Sequence, residues 1–282
     1  MILNNIFTRA LTGVFIVLFV LGGFWLHPIT FAITGMIILA GNQYEYYKLI
    51  KNNGATPQMI TGVTTGVVAY SISTLVAAGK ASSELYYILI VMIIVIMVIE
   101  LYRRQERPFD SLAQTFLPFF YIVLPLSLFP FATFSHTGIN SFLTHENIIF
   151  SPGIIVGFFI LIWTNDTAAF LTGVTLGRHK LIERISPKKT WEGFAGGLLL
   201  TMVVAYFLSG WIGVINKMKW VILASIVSVS ATLGDLVESM LKRSLGVKDS
   251  GKILPGHGGF LDRFDSVLIS FPIVYIYFSV FA

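Results

Sequence analysis

Long apolar runs separated by short polar stretches extend along the whole chain. A helix needs about 20 mostly apolar residues to cross the hydrocarbon core of a bilayer, so run length and the polar breaks between runs place the helices. About nine transmembrane helices are predicted in this way, at residues 6–26, 28–47, 58–79, 84–102, 111–134, 147–172, 192–215, 218–241 and 261–281. The pattern therefore predicts an all-α, polytopic integral membrane protein.

Prolines and one capping residue set several helix boundaries. Pro28 follows a polar turn and is predicted to open the second span. Three prolines should kink the fifth span, because proline removes a backbone hydrogen bond, and these are Pro118, Pro125 and Pro130. Thr190 is predicted to cap the N-terminus of the seventh span.

Composition agrees with a membrane protein. The chain has 282 residues, of which 55% are hydrophobic and 12% charged, about half the charged fraction of a typical soluble domain. It has no cysteine, which excludes disulfides, thiolate metal sites and cysteine nucleophiles. No small-residue cleavage site follows the apolar stretch 11–26, so this stretch is predicted to remain as the first span. We expect one helical membrane domain over residues 1–282.

Positive charge is distributed unevenly between the loops. Sixteen of the nineteen lysines and arginines fall on one side of the nine-span arrangement. The positive-inside rule places that side in the cytoplasm, with the N-terminus cytoplasmic and the C-terminus external. The expected location is the inner (plasma) membrane of the cell. The basic face would attract anionic head groups and a nucleotide triphosphate, and no nucleic-acid partner is expected.

The densest polar segment runs from Ser239 to Asp265, between two strongly apolar segments. Its charged residues and its glycine-rich hinge are Lys242, Arg243, Lys248, Lys252, Arg263, Asp249, Asp262, Asp265 and residues 255–259. Carboxylates bind divalent cations, lysines and arginines neutralise phosphate oxygens, and glycines let backbone N–H groups approach a ligand. The mixture is typical of a polyphosphate site built around a divalent metal.

Helical spacing groups some of these side chains. Asp235, Glu238 and Lys242 lie at i, i+3 and i+7, on one face of the eighth helix. Asp262 and Asp265 share a face of the first turn of the last helix. If the two helices bring Asp235 and Asp262 together, they would form the floor of a Mg²⁺ site. The candidate metal ligands are Asp235, Asp262, Asp265, Asp249 and Asp166, which leave room for a second cation.

A second polar block interrupts the apolar pattern between Trp163 and Gly193. Asn165 and Asp166 fall within or at the edge of a span, where an unpaired aspartate costs several kcal/mol, so a partner is expected. The loop before the seventh span carries Lys188 and Lys189. A phosphate-binding role is favoured for at least one of them over a purely topological one.

Both blocks resemble the phosphatidate cytidylyltransferase (CDP-diacylglycerol synthase) family. The first block matches the family signature at Ser239, Lys242-Arg243, Lys248-Asp249, Gly251, Pro255, His257-Gly258-Gly259, Asp262-Arg263 and Asp265. The second is similar in its Asn165-Asp166-Thr167 cluster and its Ser186–Gly193 loop. Together the two blocks cover somewhat less than half of the chain.

The resemblance implies the reaction of CTP with phosphatidate to give CDP-diacylglycerol and pyrophosphate, with Mg²⁺ as cofactor and a homodimer as the assembly. It also implies that residues 147–282 carry the active site, while the helices of residues 1–140 form a scaffold with possible dimer contacts. The implied catalytic residues are Asp235, Asp262, Lys242, Arg263 and His257. The implied substrate-binding residues are Asn165, Lys188, Lys189, Ser239, Arg243, Lys248, Gly258 and Gly259.

Two roles stay open. His257 would either donate to the leaving group or only hold the glycine hinge. Glu45, near the cytoplasmic end of the second span, is an ionisable group near membrane depth, and such a group usually faces a partner or a wet cavity.

Two other functions compete with this one. A cation-coupled transporter or flippase of anionic lipids would also use intramembrane Asp166 and Asp235, but the external loops have few polar residues to continue a pathway. A related CTP-dependent enzyme with a different lipid acceptor fits the same motifs.

Overall fold

The protein is described by a computed structural model, which covers residues 2–136, 148–251, 253 and 258–281. Its helices are α1 Ile2–Trp25, α2 Pro28–Asn52, α3 Met59–Ala77, α4 Tyr87–Arg103, α5 Pro108–Pro118, α6 Leu124–Ser127, α7 Phe129–Thr133, α8 Gly153–Leu176, α9 Trp191–Ile212, α10 Lys217–Ser244 and α11 Leu261–Phe281. Its short strands are β1 Phe134–His136, β2 Ile148–Phe150, β3 Lys180–Ile182 and β4 Ser186–Thr190.

All nine predicted segments are largely helical, and seven are long and apolar enough to cross a membrane within the described residues. These seven are Met59–Ala77, Ser83–Arg103, Pro108–Thr133, Gly153–Leu176, Trp191–Ile212, Lys217–Ser244 and Leu261–Phe281. The first two segments differ for separate reasons. The described apolar part of α1 is the shorter Leu11–Trp25, and α2 carries buried polar side chains near its C-terminal end.

The predicted boundary residues act as expected. Pro28 is the first residue of α2, and His27 Nδ1 accepts the Ile29 N–H at 3.1 Å. The fifth segment is interrupted directly after Pro118, where residues 119–123 form a π-helical turn. Thr190 Oγ1 accepts the Gly193 N–H at 3.1 Å and so caps α9.

The hairpin β3–β4 was not predicted. Its strands are antiparallel, and Lys180 pairs with Thr190 while Ile182 pairs with Ser186. A segment with several exposed charged residues and a proline does not show the alternation of apolar and polar positions that indicates a strand. The pairing places Lys189 two residues before the start of α9.

The helices are described in two compact units. The first unit comprises Met1–Ser151 and Asp249–Phe264. Its core is aromatic, since the Phe24 ring centroid lies 5.0 Å from that of Phe31 and 5.7 Å from that of Phe129.

A buried polar network links three helices of the first unit. Glu100, at the end of α4, is 2% exposed and forms an ion pair with Arg103 at 2.7 Å. Gln58 Nε2, before α3, donates to the same carboxylate at 2.7 Å, and Arg103 also donates to Ser111 of α5 at 3.1 Å. Arg103 therefore joins helix ends within the protein, in addition to the topological role that the sequence suggests for it.

The second unit comprises Pro152–Lys248 and Asp265–Ala282, so α11 begins in the first unit and continues in the second. Phe158 of α8 packs edge-on against Phe271 of α11, with ring centroids 5.1 Å apart. Trp220 of α10 is completely buried.

Candidate active site

The candidate site in the second unit begins with a close approach of α10 and α11. Gly234 precedes Asp235, and a Cβ at Gly234 would lie only 2.8 Å from the carbonyl oxygen of Asp265. Because glycine has no side chain, the two backbones can meet at this level. The carboxylates of both helices are thereby brought to the same place.

Three carboxylates meet there, and we call Asp235, Glu238 and Asp265 the acidic cluster. One ligand oxygen of each lies within 4.8 Å of the others. Glu238 is completely buried, whereas Asp235 and Asp265 are half-buried. The nearby Asp166 of α8 adds negative potential at Asp265. Carboxylates this close repel one another unless positive charge stands between them.

Two lysines supply positive charge to the acidic cluster. Lys189, at the end of the β3–β4 hairpin, forms an ion pair with Asp235. Lys242 forms one with Glu238, one turn before it on α10. Ser239 Oγ also donates to Asp235 Oδ1 at 3.2 Å. The carboxyl groups of the acidic cluster outnumber these two lysines, which favours a further cation.

The acidic cluster fits a divalent metal by its donor chemistry. Mg²⁺ takes carboxylate oxygens, and it commonly uses one or two protein carboxylates with phosphate oxygens and water completing its shell. The geometry brings together two of the five predicted metal ligands, Asp235 and Asp265. It adds Glu238, which the sequence placed on the same helix face but not among the ligands.

The hairpin that carries Lys189 is held in place by a carboxylate. Glu192, in the first turn of α9, accepts the Arg178 N–H at 3.0 Å and the His179 N–H at 3.2 Å. Its other oxygen lies 2.6 Å from His179 Nδ1. Glu192 thus ties the end of α8 to the start of α9, and this role was not foreseen because its partners are 13 and 14 residues earlier in the chain.

Asn165 is buried where helices pack against one another. It is 2% exposed, and its Oδ1 accepts the Ser228 hydroxyl of α10 at 2.5 Å. A Cβ at Gly197 of α9 would lie 2.9 Å from the same oxygen. Asn165 of α8 therefore joins this helix to α9 and α10. Its neighbour Asp166 is exposed.

The remaining predicted residues lie outside the acidic cluster. Five of them have exposed side chains, and these are Lys188, Arg243, Lys248, Asp249 and Arg263. Arg243 donates to the Val247 carbonyl at 3.2 Å. His257 falls outside the residues that the structure describes.

Asp262 belongs to the first unit, where it binds backbone amides. Its Oδ2 accepts the Gly259 N–H at 2.9 Å and the Ser250 N–H at 3.1 Å. Gly258, beside it, adopts a positive φ of 83°. Asp262 thus binds Ser250, which precedes the glycine hinge in the chain, and Gly259, its last residue.

Comparison with known proteins identifies the family. The sequence matches the profile described as "Cytidylyltransferase family" over residues 7–281. It is similar to the phosphatidate cytidylyltransferases of Staphylococcus aureus (strain COL), at 41% identity over 174 residues, and of Staphylococcus saprophyticus, at 39% over 174 residues. Each of these alignments covers 58% of this chain and 66% of the relative.

A third similar protein, the phosphatidate cytidylyltransferase of Staphylococcus haemolyticus, is 48% identical over 120 residues, which are 42% of this chain and 46% of the relative. The matched segments therefore span less than two thirds of these relatives, whereas the family profile extends along almost the entire chain. The chain belongs to the cytidylyltransferase family.

Proposed function

We propose that the protein transfers the cytidylyl group of CTP to phosphatidate, giving CDP-diacylglycerol and pyrophosphate. The observation that carries this proposal is the acidic cluster with its two paired lysines, found in a chain of the cytidylyltransferase family. The names of the staphylococcal relatives support phosphatidate as the acceptor.

The reaction does not require a strong general base. A phosphate monoester has a second pKa of about 6, so the phosphatidate oxygen is anionic near neutral pH. That oxygen forms a bond to the α-phosphorus of CTP, while the bond from the α-phosphorus to the oxygen bridging to the β-phosphate breaks and pyrophosphate leaves. The protein must align two mutually repelling anions and neutralise the charge that develops on the leaving group.

The residues of the second unit suit these tasks. Lys189 and Lys242 would exchange their carboxylate partners for phosphate oxygens when the nucleotide binds. Asp235, Glu238 and Asp265 would hold Mg²⁺, and the predicted role of Asp166 as a ligand of this or a second cation is kept as part of the proposal. The predicted metal-ligand roles of Asp262 and Asp249, which lie in the first unit, are kept as well. Bound Mg²⁺ would neutralise phosphate oxygens and favour departure of pyrophosphate.

The proposal includes the membrane arrangement. Nine spans would place the basic loops and the active site at the cytoplasmic face of the inner membrane, with the N-terminus cytoplasmic and the C-terminus external. We also propose a homodimer, on the basis of family resemblance.

The test is incorporation of radiolabelled CTP into lipid-extractable product by the detergent-purified protein, with and without phosphatidate and Mg²⁺. The variants are Asp235→Asn and Asp262→Asn, and the matched control is Asp110→Asn, an exposed aspartate of α5. Product that requires both additions, is lost in the two site variants and persists in the control is the expected result. Product formed only with another acceptor would overturn the phosphatidate assignment, and no product with any acceptor would favour the transporter alternative.

A further inference from the structure

Glu45 is a deeply buried carboxylate beside the signature segment, and the proposed reaction does not use it. It lies on α2 and is 1% exposed. A carboxylate removed from water is costly unless hydrogen-bond donors surround it. Its surroundings therefore indicate what it does.

Two hydrogen-bond donors to Glu45 come from the C-terminal segment of the first unit. Ser250 Oγ donates to Glu45 Oε2 at 3.0 Å, and the Leu261 N–H donates to the same oxygen at 2.8 Å. Leu261 is the first residue of α11, whose leading N–H groups have no partner within the helix. Glu45 thus binds one residue before the glycine hinge and one after it.

Glycines make this approach feasible. A Cβ at Gly251 would lie 1.8 Å from Glu45 Oε1, and a Cβ at Gly259 would lie 2.0 Å from Oε2. Any side chain at either position would collide with the carboxylate. Gly251 and Gly259 therefore present bare backbone to the Glu45 carboxylate.

Asp262 accepts hydrogen bonds from the same two parts of the chain, around Ser250 and around Leu261, but from different donor atoms. It accepts the backbone N–H groups of Ser250 and Gly259, whereas Glu45 accepts the Ser250 hydroxyl and the Leu261 N–H. The two carboxylates thus hold Ser250, Gly259 and Leu261 through four donors.

We propose that Glu45 is a positioning residue that fixes Ser250 and Leu261 to helix α2, so that the signature residues beside them are held ready for nucleotidyl transfer. We call this attachment of Ser250 and Leu261 to α2 the clamp, and we infer it from the geometry alone. Its effect on catalysis rests on the proposed function. Glu45 itself makes no contact with the reacting atoms in this account.

The absence of cysteine from the chain allows a test that does not depend on activity. Leu261 is completely buried and Leu126, in α6 of the same unit, is 1% exposed. Leu261→Cys and Leu126→Cys are introduced separately, and the rate of modification of each by N-ethylmaleimide is followed by intact mass. Each is measured with Glu45, with Glu45→Ala, and with Glu45→Gln, which keeps an acceptor oxygen.

Loss of the clamp should expose position 261 locally. We expect Glu45→Ala to accelerate modification of Leu261→Cys at least about tenfold, to leave Leu126→Cys unchanged, and Glu45→Gln to restore most of the protection. An unchanged rate at position 261 would overturn the proposal. Equal acceleration at both cysteines would also overturn it, because Glu45 would then support the whole unit rather than the hinge.

The catalytic consequence is measured separately in the otherwise unmodified chain. Glu45→Ala is expected to lower kcat about tenfold or more while KM for CTP changes less, since misplaced groups slow the chemical step. A kcat equal to that of the parent, together with an exposed position 261, would retain the clamp and refute its catalytic role. A parent protein that forms no CDP-diacylglycerol would refute the proposed function and leave the labelling result intact.

Discussion

The carboxylates of the acidic cluster and the two carboxylates beside the glycine hinge, Glu45 and Asp262, have different kinds of partner. In the second unit, Asp235 and Glu238 face lysine side chains and stand close to Asp265. In the first unit, Glu45 and Asp262 accept backbone N–H groups and a hydroxyl of one segment.

The difference separates two roles. Lysine side chains are long and can exchange one anionic partner for another, so a carboxylate paired with lysine can release it when metal and phosphate arrive. Backbone donors are fixed by the fold, and a carboxylate that binds them holds the chain in one conformation. We therefore expect substitutions in the acidic cluster to affect chemistry most, and substitutions around Glu45 to affect the position of the hinge.

The largest effect should follow removal of a charge from the acidic cluster. Glu238→Gln keeps the shape of a completely buried side chain but removes one negative charge. We expect kcat to fall about a thousandfold, in the upper range for loss of an electrostatic group at a reaction centre. Asp110→Asn serves as control. Activity within threefold of the parent would remove Glu238 from the site.

A smaller effect should distinguish two adjacent lysines. Lys189 pairs with Asp235, whereas Lys188 is exposed. We expect Lys189→Met to lower kcat/KM for CTP about ten- to a hundredfold, the scale of a charge-assisted hydrogen bond, and Lys188→Met to lower it only a few-fold. Steady-state kinetics of the pair provide the comparison. Equal losses would mean that both act only through the general positive charge of the loop.

A still smaller effect on kcat should follow from adding a side chain at Gly251, beside Glu45. Gly251→Ala places a methyl group against the Glu45 carboxylate, whereas Gly210→Ala in α9 meets nothing within 4 Å. We expect about a tenfold loss of kcat in the first and none in the second. Full activity of Gly251→Ala would show that the hinge can move away from Glu45 without consequence.

The smallest effect on activity should come from Asn165. Asn165→Ala leaves the buried Ser228 hydroxyl without this acceptor, which should lower the free energy of unfolding by about 1–3 kcal/mol with KM for CTP within a few-fold of the parent. Thermal unfolding in detergent and CTP kinetics test both parts. A large rise in KM without loss of stability would favour the substrate-binding role that the sequence suggests.

Much of the helical architecture was predictable because apolar runs and their breaks are local features. Pro28, Pro118 and Thr190 act at the boundaries where the sequence places them. Asp235 and Glu238 could be grouped because they are three residues apart on one helix. These predictions needed no knowledge of how the helices pack.

Features that depend on distant contacts could not be predicted in this way. Glu45 binds Ser250 and Leu261, which are 205 and 216 residues later in the chain. The pairing of Lys189 with Asp235 depends on the β3–β4 hairpin, whose composition does not indicate strands. The division into two units likewise depends on packing, since the segment Asp249–Phe264 joins helices from the other end of the sequence.

The central claim is that the acidic cluster binds a divalent metal, and Mn²⁺ binding to the purified protein tests it most directly. Electron paramagnetic resonance would follow free Mn²⁺ during titration of the parent, Asp235→Asn and Asp110→Asn. We expect Mn²⁺ binding by the parent, at least about tenfold weaker binding by Asp235→Asn because a charged ligand is lost, and no change in Asp110→Asn. Binding by Asp235→Asn as tight as that of the parent would contradict it.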